Sequence, residues 1–294
     1  MSSNFVTAQD TLKFLDPAPE YIPSRGRILG IGLGSTYVVS MAGLYSLWYK
    51  DYPIGKFHEF NDNDEWLQND KVGHFGSAYY LSKWGTDLFK WSGMKRKKII
   101  LLGGSAGFVF LTTIEILDGF SENWGFSTGD MIANTAGSLL AISQELAWDE
   151  QRIKIKFSYH PSEYAQYRTA LLGSSSIESL FKDYNGQTYW ISANIFSFLH
   201  NRSRFPKWLN LSAGYGVDGL TGAFDNSGTE GNINVPIFKR QRQYYLAPDI
   251  DLTKIHTNNK VLKTIFGAFG FVKFPSPALE FNEKGKTKFY WIYF

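Results

Sequence analysis

Asp70, Lys71 and His74 stand close together in the stretch DKVGHFGSAYYLSKWG, residues 70–85, ahead of small and aromatic residues. Asp70 and His74 are four apart, so on a helix they share a face. Two further polar pairs repeat the arrangement: Glu115 with Asp118, three apart, and Asp130 with Asn134, four apart. One imidazole among several carboxylates is a mixed nitrogen–oxygen donor set able to hold a divalent metal. Asp70, His74, Glu115, Asp118 and Asp130 are the ligand candidates. The same groups could work as a general acid and base in a hydrolase-like pocket. No nucleophile motif accompanies them: Ser77 lies about a turn beyond His74, and helical spacing alone does not activate a hydroxyl. No catalytic residue is therefore assigned. A structural role is the third reading, and the one favoured. In it Asp70 caps its own helix, and Ser127 with Asp130 forms a capping box in which an acid replaces the usual Glu. Lys71, Glu115 and Asp118 are then buried ions paired across the helices.

The three polar pairs lie at the ends of three expected helices. These are Asp70 to about Trp91, the run IILLGGSAGFVFLTTIEILDGFS after Lys98, and Thr128 to Trp148. If the first and third run the same way and the second is antiparallel, all the pairs gather at one end of the bundle. A fourth helix, Ile28 to Tyr49, is an uncharged run of about 22 residues, long enough to span or deeply enter a bilayer. Its glycines and serines suit close helix contact. GGSAG at 103–107 reads as helix packing, because a phosphate cradle needs a loop between a strand and a helix.

After Gln151 the period changes to two. RIKIKFSY alternates Ile153, Ile155, Phe157 and Tyr159 with Arg152, Lys154, Lys156 and Ser158, a strand with one greasy face. Asn185-Gly186 signals a turn before the strand QTYWISANIFSFL. WLNLSAGYG, RQYYLAPDIDL, VLKTIFGAFGFV and TKFYWIYF are read as further strands, and Thr221–Asn234 as a Gly/Asn-rich loop. The final Phe294, after apolar residues at alternate positions, resembles the last strand of bacterial outer-membrane β-proteins.

Composition narrows the class. A formal charge of +3 over 294 residues is too small and too dispersed for a nucleic-acid partner. The basic run Lys95–Lys98 abuts an apolar segment, as membrane flanks do. The chain contains no cysteine, which excludes disulfides, thiol chemistry and cysteine metal sites. Aromatics reach 17%, a level that suits a membrane interface, where Trp and Tyr bury a ring and keep a polar end wet. Met1–Ala8 lacks the pattern of a signal peptide, although Val6-Thr7-Ala8 resembles a small-x-small cleavage site. The remaining histidines, His58, His160, His200 and His256, have no partner at a motif spacing.

DKVGHFGSAY, EILDGFSENWGFSTGDMIANTAGS, the following Gln144 and Trp148, KDYNGQTYW and FPKWLNLSAGYG together resemble the uncharacterised YfiM-like proteins of Bacteroidota. The resemblance runs from Asp10 to Phe294 and implies a periplasmic or outer-membrane lipoprotein without an established activity. Residues 70 to about 140 are also distantly similar to VanZ-like membrane proteins. The chain departs from the family in having no lipobox cysteine, so attachment is expected from its own helices and strands.

The expected fold is α+β and membrane-associated. An extended arm (1–27) precedes a bundle of about four Gly-rich helices (28–150) and an antiparallel sheet or partial barrel (151–294). The expected role is a non-enzymatic structural or accessory subunit of the outer membrane of a Gram-negative bacterium, in an assembly or export complex. Its partners are membrane lipid and other outer-membrane proteins, with no cofactor. The alternative is a metal-dependent envelope enzyme built on the histidine–carboxylate cluster.

Overall fold

The computed structural model describes residues 14–50, 52–199, 204–226, 229–230, 233–283 and 285–294. Residues 1–13 of the expected N-terminal arm and His200 fall outside these.

The N-terminal half is helical. Its elements are α1 (Pro23–Leu44), α2 (Asn69–Trp91), α3 (Arg96–Lys98), α4 (Ala106–Gly119) and α5 (Thr128–Trp148). Helix α1 starts at Pro23 rather than Ile28, which shortens the arm. Proline suits the first helical turn, where its missing N–H has no partner to lose. A wider turn carries α1 on to Tyr49, and another joins α3 to α4. Helix α2 is the centre of the bundle and packs on α5, on α4 and on the turn before α4. Glycine sets these approaches. A Cβ at Gly107 would come within 2.0 Å of the Ala78 carbonyl oxygen, and one at Gly137 within 2.1 Å of that of Phe75. Backbone thus lies directly on backbone, and GGSAG is helix packing.

The C-terminal half carries β1 (Ile153–Tyr159), α6 (Thr169–Leu172), α7 (Ser176–Lys182), β2 (Gln187–Asn194), β3 (Leu209–Asp218), β4 (Thr229–Glu230) and β5 (Ile233–Asn234). It continues through β6 (Gln241–Ile250), α8 (Lys260–Ala268), β7 (Ser276–Asn282) and β8 (Thr287–Tyr293). Six strands form one antiparallel sheet in the order β1-β2-β3-β6-β7-β8, and β4 with β5 forms a small hairpin. With helices first and strands after, the fold is α+β.

One segment expected as a strand is a helix. VLKTIFGAFGFV begins α8, because the Asn259 side chain accepts hydrogen bonds from the Val261 and Leu262 N–H groups. Val261, Leu262, Ile265 and Phe269 then recur at helical spacing and are all exposed. Strand β7 was hidden in the sequence by Pro277, which the pairing with β8 accommodates at a register shift between Ser276 and Ala278.

The inner face of the sheet buries charged and amide side chains beside the aromatic cluster of Trp190, Tyr245 and Tyr293. The polar half of β1 is buried: Lys156 is 1% exposed and reaches Asp249 of β6 at 2.8 Å, and Lys154 reaches Asp251 at 2.6 Å. Ser192 Oγ donates to Asp249 at 2.6 Å, Asn210 donates to Ser192 at 2.9 Å, and Asn194 donates to Asn210 at 2.7 Å. Tyr293 of β8 lies 3.0 Å from the Thr188 hydroxyl of β2 and packs on Trp190 and Tyr245. The last strand therefore curls round to face the second. The gap beside β1 is lined by residues 271–273: Phe157 N–H donates to the Phe271 carbonyl, and Lys273 N–H donates to that of Phe157. On the outer face, strand register aligns Ile191, Ala213, Leu246, Leu279 and Phe289 in one row across five strands. A second row aligns Tyr189, Tyr215, Tyr244 and Phe281, of which Tyr189 lies against Gly73 and Gly76 of α2, Tyr215 donates to the Leu67 carbonyl, and Tyr244 and Phe281 are exposed. Trp291 extends this apolar surface at 80% exposure.

Candidate functional site

The site forms where the start of α2, the end of α4 and the start of α5 meet the rim of the sheet. Three successive residues before α2, Trp66, Leu67 and Gln68, adopt left-handed backbone angles, with φ of 49°, 51° and 65°. Such strain persists only where surroundings hold it in place. Here the sheet side does so: Trp66 N–H donates to the Ala223 carbonyl, Tyr215 donates to the Leu67 carbonyl, and Arg242 donates to Gln68. Helix α2 consequently opens at Asn69 with Gln68 as its flanking residue, so Asp70 is not its cap.

Asp70 is instead part of an ion cage. Lys71 Nζ lies 2.8 Å from Asp62 Oδ1, 3.0 Å from Asp130 Oδ1 and 3.5 Å from Asp70 Oδ2. Tyr184, in the turn before β2, donates to the other Asp70 oxygen at 2.5 Å. Ser127 caps α5 by accepting from Asp130 N–H at 3.1 Å, and its own hydroxyl donates to Asp62 at 2.6 Å. The reciprocal half of the capping box goes elsewhere. Ser127 N–H donates to Glu115 Oε2 at 3.2 Å, while the Asp130 carboxylate faces Lys71.

His74 stands beside the cage. Its Nδ1 is 3.1 Å from Asn134 Oδ1 and 3.5 Å from Glu115 Oε1. Glu115 is 1% exposed, and that Oε1 receives no hydrogen bond. One ligand atom each from Asp70, His74 and Asp130 lies within 4.8 Å of the others, and these three are the group able to share one metal ion. Of the residues singled out by spacing, Asp70, Lys71, His74, Glu115, Asp130 and Asn134 are linked by these contacts. Asp118 stands aside and accepts from Tyr49 at 2.7 Å. A depression of about 400 Å³, lined by Glu59, Phe60, Asn61, Asn63, Thr128 and Gly129, opens beside the N-terminus of α5.

Negative charge dominates. Burial alone would push the His74 imidazole down, but Asp70, Asp130 and Glu115 outweigh it and lift the ring to about 9. Burial likewise opposes the Lys71 ammonium, and Asp70, Asp130 and Asp62 raise it above its ordinary value. Burial raises Asp130 to about 7, with the charge of Asp70 adding to it. Glu65 is also pushed up to about 7, by burial and by Asp70 and Asp62. Among the described residues, Asp62, Glu65, Asp70, Glu115 and Asp130 gather around Lys71 and His74.

Sequence spacing missed Asp62, Tyr184 and Tyr49. Asp62 sits in a loop without periodicity, and the tyrosines come from segments remote in the chain. Among the other histidines, His58 and His256 are exposed and His160 packs on Tyr293.

Residues 59–145 match the model of a family described as "Predicted periplasmic lipoprotein (DUF2279)". The matched segment contains the whole cluster except Tyr49 and Tyr184, and stops before the sheet. The match supports an uncharacterised, envelope-located family. Neither a curated protein nor a solved structure matches the chain.

Proposed function

We propose that this chain is a non-enzymatic structural or accessory component of the bacterial outer membrane, held in lipid by its own surface and serving an assembly or export complex. The observation that carries the reading is the polarity of the sheet. Its inner side buries ion pairs and amides beside an aromatic cluster, and beyond the part that α2 covers its outer side exposes Ile191, Leu246, Leu279, Phe281, Phe289 and Trp291. Membrane β-proteins share that outward display of apolar residues, with polar residues inward. Strands β3 and β6, ten residues each, match the length of about 9–11 residues that such strands need.

The helices support the same reading. Pro23–Tyr49 and Arg96–Gly119 are both long and apolar enough to cross a membrane, and Ile31, Val38 and Val39 of α1 are fully presented outward. The exposed basic residues 95–98 flank the second run. Helix α8 exposes its apolar face and carries Lys260 and Lys263, the pattern of a helix lying in a lipid interface. The likeness to YfiM-like proteins of Bacteroidota points to the same membrane. Density-gradient separation of the envelope, followed by cross-linking and pull-down from native membranes, tests the proposal. Outer-membrane recovery with a reproducible protein partner is expected. Inner-membrane enrichment, or reproducible recovery of the chain alone, would count against it.

A further inference from the structure

We propose that Asp70, His74 and Asp130 bind one divalent first-row transition-metal ion, with Glu115 outside the ligand set and facing Nδ1 of the His74 ring. The inference is independent of where the chain resides. It rests on three observations besides the cluster of acids.

The first is the set of donors. Two carboxylates and an imidazole offer ligand atoms within 4.8 Å of one another, and each comes from the first turns of a rigid helix. A nitrogen ligand favours a transition ion over calcium or magnesium, which prefer oxygen alone.

The second is the ring orientation. Nδ1 of His74 is engaged by Asn134 Oδ1 at 3.1 Å, which leaves Nε2 as the ring atom able to serve a metal. Metal-binding histidines usually donate their other N–H to a carbonyl or carboxylate oxygen in this way, which fixes the tautomer and the ring plane. Asp70 is braced similarly by Tyr184.

The third is an orphan. Glu115 is almost completely buried, and its Oε1, directed at His74, has no hydrogen-bond donor. A buried carboxylate oxygen without a donor is costly; a metal on Nε2 would fix the ring proton on Nδ1, 3.5 Å from that oxygen, and so place positive charge beside it. Lys71 does not meet the need, because its ammonium serves Asp62, Asp70 and Asp130.

Lys71 is then a competitor, since its ammonium sits 3.0 Å from Asp130 and 3.5 Å from Asp70, both ligand carboxylates. That gives the proposal opposite signs at neighbouring residues. Full-length protein in detergent is stripped with chelator and titrated with Zn²⁺, Mn²⁺ and Ca²⁺ by calorimetry, with metal content checked by elemental analysis. Wild type is expected to bind one Zn²⁺ or Mn²⁺ per chain and Ca²⁺ at least tenfold more weakly. His74→Ala and Asp130→Asn should each weaken transition-metal binding at least tenfold, and Lys71→Met should strengthen it. Circular dichroism confirms that each variant is folded. X-ray absorption of the zinc-loaded protein should show a single imidazole among oxygen ligands. Failure of folded wild type to bind either transition ion, binding unchanged by His74→Ala, or weaker binding in folded Lys71→Met would overturn the proposal.

Discussion

Lys156→Met tests the burial of charge on the inner face of the sheet. Lys156 and Asp249 are 2.8 Å apart and both side chains are fully buried. Lys156 also donates to the Ile250 carbonyl at 2.6 Å. Methionine keeps the length of the side chain and removes the charge. Asp249 would retain Ser192 at 2.6 Å and the more distant Lys273 at 3.8 Å. Breaking a buried pair by removing one partner costs about 3–5 kcal/mol. Because Lys273 remains close, the low end applies: about 3 kcal/mol, or roughly a hundredfold in the folding constant. The double variant Lys156→Met, Asp249→Leu removes both partners of the pair, and because the buried Lys273 then loses its neighbouring acid, it should recover part of that loss. Urea titration in detergent micelles, followed by near-ultraviolet circular dichroism, measures both. If Lys156 instead faced solvent, the single variant would change stability by no more than about 0.5 kcal/mol. That result, or a double variant as unstable as the single one, would refute the buried-pair reasoning.

Further predictions concern the bundle and the exposed surfaces. Gly107→Val drives new atoms into the Ala78 carbonyl and should destabilise the protein by about 1–3 kcal/mol, read as a lower urea midpoint. Asn259→Ala removes the acceptor for two N–H groups at the start of α8. It should cost about 1 kcal/mol, seen as faster hydrogen exchange confined to residues 260–268. Replacing residues 95–98 with glutamine should reduce the salt-sensitive part of binding to vesicles containing anionic lipid by about 1 kcal/mol per charge, leaving the share of Lys260 and Lys263. Unchanged salt sensitivity would show that this run does not face lipid.

The elements were legible where local rules decide them. Helix α5 matched its expected bounds because Ser127 caps it and because the apolar period runs unbroken to Trp148. The meeting of the polar pairs followed from helix direction alone. Other features depended on tertiary contacts that no local pattern encodes. Lys154 and Lys156 look like the wet side of β1, and only their ion partners on and beside β6, nearly a hundred residues away, allow them to be buried. The α8 segment has β-branched and aromatic residues that suit a strand, and its cap decided otherwise. Asp70 reads as a cap until the left-handed turn at Trp66–Gln68, fastened to the sheet rim, starts the helix one residue earlier. Asp62 and Tyr184 complete the ion cage from a loop and a turn, where spacing carries no information.

Everything proposed about the membrane rests on the outer face of the sheet, and Trp291 reports on it. The full-length protein is reconstituted in bilayers containing lipids brominated along the acyl chain, and Trp291→Phe is compared with wild type. The account predicts strong quenching of the fluorescence that the Trp291→Phe difference isolates, with the greatest effect from bromines within the hydrocarbon layer. A Trp291 contribution that acyl-chain bromines leave untouched, and that aqueous iodide quenches instead, would contradict it.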